Sequence, residues 1–185
     1  AKWSRNSHYY GLGLTYEVGN LSLVGIVERF DNKSEEDKNK ATMVYSLSAA
    51  YDFEVAKAFF GYQYANRFHS LDQLEDVWVS GNGMNQNAFT LGAEVPAAGG
   101  TFKVAANYGF GKVRSADGVL VDDTKLSNDK FNRFTVGAAY EYPLSKRTFV
   151  YGWGAYATAG KMFKEKAVEE NFKSWSLGLG LHHNF

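Results

Sequence analysis

WSLGLGLHHNF, residues 175–185, alternates with a period of two. In an extended strand Trp175, Leu177, Leu179, Leu181, His183 and Phe185 fall on one face, and Ser176, Gly178, Gly180, His182 and Asn184 fall on the other. A tilted strand crosses a bilayer in roughly 9–11 residues, which this run matches. Its apolar face is unbroken and its last side chain is a ring. A strand whose final aromatic sits at the lipid edge, on the periplasmic side, needs no polar tail, and Phe185 is expected there.

The same alternation returns along the chain. HYYGLGLTYEV (8–18) sets His8, Tyr10, Leu12, Leu14, Tyr16 and Val18 against Tyr9, Gly11, Gly13, Thr15 and Glu17. LSLVGIVERF (21–30) is apolar on both faces, so its phase stays open. ATMVYSLSAAYDF (41–53) sets Met43, Tyr45, Leu47, Ala49, Tyr51 and Phe53 against Thr42, Ser46, Ser48 and Asp52. VAKAFFGYQYANRF (55–68) groups Phe60, Tyr62, Tyr64 and Phe68 opposite Lys57, Gln63 and Arg67. NAFTLGAEV (87–95) puts Phe89, Leu91, Ala93 and Val95 opposite Thr90, Gly92 and Glu94. TFKVAANYGFGKV (101–113) puts Phe102, Val104, Ala106, Tyr108 and Phe110 opposite Lys103, Asn107 and Gly109. FNRFTVGAAYEY (131–142) puts Phe134, Val136, Ala138, Tyr140 and Tyr142 opposite Arg133, Thr135 and Glu141. RTFVYGWGAYATAG (147–160) reads as Phe149, Tyr151, Trp153 and Ala155 opposite Thr148, Gly152, Gly154 and Thr158. With the final run these make nine segments.

Connections alternate too. Gly19-Asn20, Asp52-Phe53-Glu54, PAAGG (96–100) and PLSK (143–146) are short. DNKSEEDKNK (31–40), HSLDQLEDVWVSGNGMNQ (69–86), RSADGVLVDDTKLSNDK (114–130) and KMFKEKAVEENFK (161–173) are long and charged. A sheet in water has no reason to gather every long loop at one edge. An outer-membrane barrel does, with short periplasmic turns and long outer loops.

Composition bounds the alternatives. The 185 residues carry 20 basic and 20 acidic side chains, so a zero formal charge gives no electrostatic case for nucleic acid. No cysteine is present, which excludes disulfides and thiolate metal sites. No apolar run reaches the roughly 18–20 residues of a membrane helix, a test that β-barrels evade. The opening AKWSRNSHYY has no basic region followed by an apolar core, so no signal peptide is expected within it. A soluble β-sandwich or lipocalin-like barrel also alternates. Two features speak against it. The polar faces are dominated by Gly, Ala, Ser and Thr instead of charge. Aromatics also crowd the strand ends, as Tyr140 and Tyr142, Tyr51 and Phe53, Phe131 and Phe134, and as Trp175 and Phe185 on the last segment.

The run YEYPLSKRTFVYGWGAY (140–156), followed by GLGLHHNF (178–185), resembles the end of a general porin of the proteobacterial, neisserial type. The resemblance is carried by the turn Tyr142-Pro143-Leu144-Ser145-Lys146-Arg147-Thr148 and by the terminal Gly180-Leu181-His182-His183-Asn184-Phe185, with His182 standing where Arg is usual. YYGLGLTYEVGNLSLVG (9–25) is similar to a mid-barrel hairpin of that family. The resemblance implies an all-β transmembrane antiparallel barrel of sixteen strands, usually a homotrimer, in the bacterial outer membrane beside lipopolysaccharide. It implies passive diffusion of small hydrophilic solutes and ions, with no cofactor and no catalysis.

Nine strands cannot close an antiparallel barrel, because the first and last then run parallel. Residues 1–185 are therefore expected to be the C-terminal part of one barrel domain, with seven strands absent or supplied by another chain, and residues 1–7 in an outer loop. A tenth strand at LEDVWVSG (74–81) is the alternative count.

Charged residues on the faces assigned inward are Glu17, Lys57, Arg67, Glu94, Lys103, Arg133 and Glu141, the expected pore lining. Glu17, Lys57, Glu94, Lys103 and Glu141 lie toward the short turns, and Arg67 and Arg133 nearer the outer side. The outer loops carry Glu35, Glu36 and Asp37; Asp72, Glu75 and Asp76; Asp122 and Asp123; Glu169 and Glu170. Interleaved lysines and the lack of an evenly spaced, Gly-bearing loop favour solvated charge there over a calcium site. An outer-membrane hydrolase needs His beside an acid or nucleophile. His182 and His183 are adjacent and point oppositely, and His69, Ser70 and Asp72 share one loop, a poor triad. An adhesin or structural barrel with a plugged lumen is the remaining class.

Overall fold

Alternation of this kind folds as a meander. The computed structural model describes residues 7–31, 40–69, 82–114, 119–121, 124–126, 130–160 and 173–184. The strands are β1 (His8–Val18), β2 (Leu21–Asp31), β3 (Thr42–Asp52), β4 (Lys57–Phe68), β5 (Met84–Ala97), β6 (Gly100–Val113), β7 (Val119–Val121), β8 (Thr124–Leu126), β9 (Lys130–Ser145), β10 (Thr148–Ala159) and β11 (Lys173–His183). Nine form one antiparallel sheet in the order β1-β2-β3-β4-β5-β6-β9-β10-β11. β7 and β8 pair only with each other, a hairpin between β6 and β9 that strand-length periodicity did not reveal. The sheet is open, with β1 and β11 at its two edges. Segment 74–81 lies outside the described residues.

Turn chemistry explains the tight end. Gly19 takes the first central position between β1 and β2 with φ 54°, the left-handed conformation a two-residue turn of that kind requires. Ala98 and Gly99 have φ 50° and 81° between β5 and β6, so an alanine carries a conformation normally left to Gly or Asn. In the Lys146-Arg147 turn, Ser145 Oγ accepts from Arg147 N at 3.2 Å and donates to Thr148 Oγ1 at 3.1 Å. Thr148 Oγ1 pairs in turn with His183 Nδ1 at 2.8 Å, and Asn184 N donates to Arg147 O at 2.8 Å. These bonds tie the tight turn to the end of β11.

Register fixes the faces. Directly paired residues share a face, so Leu14, Gly25, Leu47, Tyr62, Phe89, Tyr108, Phe134, Thr158 and Lys173 belong together, as do Leu12, Val27, Tyr45 and Tyr64. This face is bare: Leu14 is 74% exposed, Leu177 74% and Leu179 92%. Apolar exposure on that scale is stable only when something apolar covers it. Little is buried elsewhere. Met84, Val113, Phe131, Ala157, Ala159 and His69, with Gly83 and Gly109, are the buried residues among those described.

Two irregularities invert strict alternation. Between Asn66 and Phe68 the β4–β5 ladder shifts, with Arg67 at φ 58°. Phe68 consequently pairs with Met84 and lies on the charged face, not with Phe60, Tyr62 and Tyr64 as alternation predicts. Arg67 itself has no opposite residue in the ladder, so alternation no longer assigns it a face. Between Thr148 and Phe149 the β9–β10 ladder skips Leu144. An unshifted hairpin would set Tyr151 opposite Tyr142; the extra residue sets Val150 there and Tyr151 opposite Glu141. Phe149, Tyr151, Trp153 and Ala155 therefore lie on the charged face, and Gly152, Gly154 and Thr158 on the leucine face, the reverse of the expected assignment.

Candidate functional site

Opposite the leucines runs a face with polar chemistry. Near its middle Gln63 Nε2 donates to Ser46 Oγ at 3.1 Å, and Thr90 Oγ1 donates to Asn107 Oδ1 at 2.6 Å. Near the long-loop end Tyr9 O–H donates to Glu28 Oε1 at 2.8 Å. Near the short turns the charge concentrates. Asp52 pairs with Lys57, Lys57 with Glu94, and Glu94 with Lys103 in successive ladders, while Glu141 lies diagonally across from Lys103. Lys57 Nζ is 3.5 Å from Asp52 Oδ2, and Lys103 Nζ is 3.9 Å from Glu94 Oε1 and 2.9 Å from Glu141 Oε2.

A row of alternating sign thus spans β3, β4, β5, β6 and β9. It brings together Lys57, Glu94, Lys103 and Glu141, and adds Asp52, whose place opposite Lys57 is visible once the two-strand register is drawn. Three carboxylates and two ammonium groups leave it a net charge of −1. Glu17 shares the face on β1, opposite Ser22, apart from the row. Arg133 lies on the same face toward the long loops, between Gly109 and Ala159, half-buried.

Aromatics frame the opposite face. Tyr140 O–H donates to the carbonyls of Ala97 and Ala98 at 2.9 and 3.1 Å, closing the β5–β6 turn, while the Tyr142 ring lies against Gly99. Trp175, 75% exposed, stands at the long-loop end of β11. Phe185 lies outside the described residues, as do Ser70, Asp72 and the acidic loop clusters Glu35–Asp37, Glu75–Asp76, Asp122–Asp123 and Glu169–Glu170. His182 and His183 point to opposite faces, pairing with Phe149 and Thr148. His69 is buried, its Nε2 3.0 Å from Lys40 O. Among the described residues no group of three or more His, Asp or Glu could hold a metal ion.

What alternation misses is the ladder of rings on β10. Phe149, Tyr151 and Trp153 follow one another along the charged face, with His182 stacked on Phe149 at 4.9 Å and 24°.

A strand meander with a bare leucine face, a charged face behind it, and all tight turns at one end defines a membrane β-barrel protein. The chain belongs to the Gram-negative porin family, which it matches over residues 1–161. It is 29% identical over 191 aligned positions to an outer membrane porin protein of Bordetella pertussis, covering 94% of this chain and 45% of that protein. Its fold resembles the anion-selective porin from Comamonas acidovorans, with a TM-score of 0.56 and 23% identity over 96% of this chain and 49% of that one. The chain spans about half the length of the relatives it matches. It is a protein of the bacterial outer membrane.

Proposed function

We propose that this chain forms part of the wall of a water-filled channel for passive diffusion of small hydrophilic solutes and ions. The observation that carries this reading is the row Asp52–Lys57–Glu94–Lys103–Glu141 on the face opposite the leucines. Five charged groups on one side of a sheet whose other side meets lipid need water beside them. The pore lining then includes Glu17, Lys57, Glu94, Lys103, Arg133 and Glu141, with Arg67 at the bulge.

Parity extends the reading. β1 and β11 run in the same direction at the edges of the open sheet, so an antiparallel barrel closes only with an odd number of further strands. Seven more would give sixteen, and family resemblance favours a homotrimer in contact with lipid and lipopolysaccharide. A passive pore needs no catalyst and no cofactor.

Planar-bilayer recording of the whole protein tests this. Stepwise ohmic current is expected. A protein that inserts but yields no current would favour an adhesin or structural barrel.

A further inference from the structure

The pore reading leaves the rings of β10 without a task. Tyr151 and Trp153 are large side chains whose ladder neighbours on this face are small or charged, Glu141 and Ala139 on β9 and Gly180 and Gly178 on β11, and they are held in a particular way. Each lies across a glycine of the neighbouring strand. Tyr151 is directly opposite Gly180, and its ring occupies the place a Cβ there would take; Trp153 stands in the same relation to Gly178. A ring laid over a glycine lies against the backbone with its other face turned away from the sheet. Trp153 remains 41% exposed, and Phe149 and Tyr151 are half-buried. Successive same-face residues on a strand are about 7 Å apart, so the rings form a track along the strand direction. Phe149 and Tyr151 have centroids 6.1 Å apart, and His182 extends the track at its short-turn end.

Polar groups flank the track on both sides. Glu141 is opposite Tyr151 on β9, joined to Lys103 beyond it. Ser176 on β11 is opposite Ala155, the next residue up the same face from Trp153, and His182 is opposite Phe149. Because Glu141 is already paired with Lys103, the flank offers donors and acceptors with little free charge.

We infer that Phe149, Tyr151 and Trp153 form a stacking track for neutral oligosaccharides, an inference that rests on the pore reading. A pyranose ring has C–H groups on its flat faces and hydroxyls around its rim. The C–H face meets the negative face of an aromatic ring, while the hydroxyls exchange water for hydrogen bonds at the margins. Rings in a row with paired charge alongside suit that division. An organic cation would call for an unpaired carboxylate beside the rings, and a purely apolar ligand would have no use for the flank.

Planar-bilayer recording of the whole protein with maltohexaose as the probe tests the inference. Block is measured relative to each variant's own sugar-free current. Current through the natural protein is expected to fall as maltohexaose is added. Trp153→Leu should raise the half-blocking concentration about tenfold, the scale of one lost stacking contact, and Trp153→Tyr by no more than about threefold. The conservative variant also covers the case in which Trp153→Leu fails to assemble. The inference is overturned if maltohexaose leaves the current of the natural protein unchanged, which would mean that something else covers the track. It is equally overturned if Trp153→Leu assembles and is blocked as readily as the natural protein, or if tetraethylammonium interferes with potassium current through the track and the sugar does not. Sugar-free current with no block removes only the track. The absence of any current removes the pore reading beneath it.

Discussion

Lys103 is the place where charge on the wall can be changed most cleanly. Its Nζ stands 2.9 Å from Glu141 and 3.9 Å from Glu94, and the three side chains are 34–38% exposed. Pairs that open to solvent contribute about 0.2–1 kcal/mol each, so Lys103→Met should leave the fold intact. Its effect belongs in selectivity. The substitution takes the row from a net −1 to −2. One unit charge about 10 Å from the ion path contributes about 0.4 kcal/mol at the dielectric of water. In roughly 0.01 M salt, with a Debye length of about 30 Å, about 0.3 kcal/mol survives. A cation gains that energy and an anion loses it, so the cation-to-anion permeability ratio should rise roughly 2.5- to 3-fold, shrinking to about 1.5-fold near 0.15 M. The reversal potential of the whole protein under a salt gradient measures this. Glu141→Gln must move it the other way. An unchanged reversal potential at low salt, or a shift of Lys103→Met toward anions, would refute the placement of Lys103 beside the ion path.

Other expectations follow from the faces and turns. Leu179→Arg, near the middle of β11 on the leucine face, should cost about 2–4 kcal/mol in urea-monitored refolding into lipid, while Ser176→Arg on the other face should cost far less. Similar costs at both sites would undo the assignment of lipid and water. Tyr140→Phe removes the hydroxyl that serves Ala97 and Ala98 and should cost about 1 kcal/mol in the same assay. Ala98→Gly relieves a left-handed alanine and should stabilise by about 0.5–1 kcal/mol; a loss of stability would show that the turn bears no such strain.

Much of the sheet is legible from residue order alone. Leucines two apart in 177–181 and 12–14 fix the phase of β11 and β1, and the alternation of short and long connections fixes which ends meet. The row of charge is legible as well, because Lys57, Glu94, Lys103 and Glu141 each sit a few residues from a tight turn. β10 is not. Its apolar rings read as the lipid side because ring-rich faces usually are, yet one extra residue at Leu144 turns the strand over. Pro143, which has no N–H for the ladder, was the available hint. Glycines on its leucine face are compensated from the neighbour: Leu179 and Leu177 side chains lean over Gly152 and Gly154. Phe68 follows the same rule, displaced by the bulge at Arg67. A bulge changes no composition and shifts the phase of a strand without any mark in the order of its residues, so it is seen only when two strands are laid side by side.

The uneven ends of the sheet constrain how such a wall enters a bilayer. Every described connection at one end is a tight hairpin; at the other, stretches such as 31–40 and 161–173 carry clusters of Lys, Asp and Glu. Secreted chains approach the outer membrane from the periplasm, so the hairpins can stay behind while the charged stretches make the crossing. Each ionised group carried through hydrocarbon is costly, and four such stretches crossing together would stall on bare lipid. Insertion of this wall therefore calls for a locally thinned membrane or a polar passage that escorts those stretches outward, and its speed should be governed by their charge more than by the strength of the strands that follow.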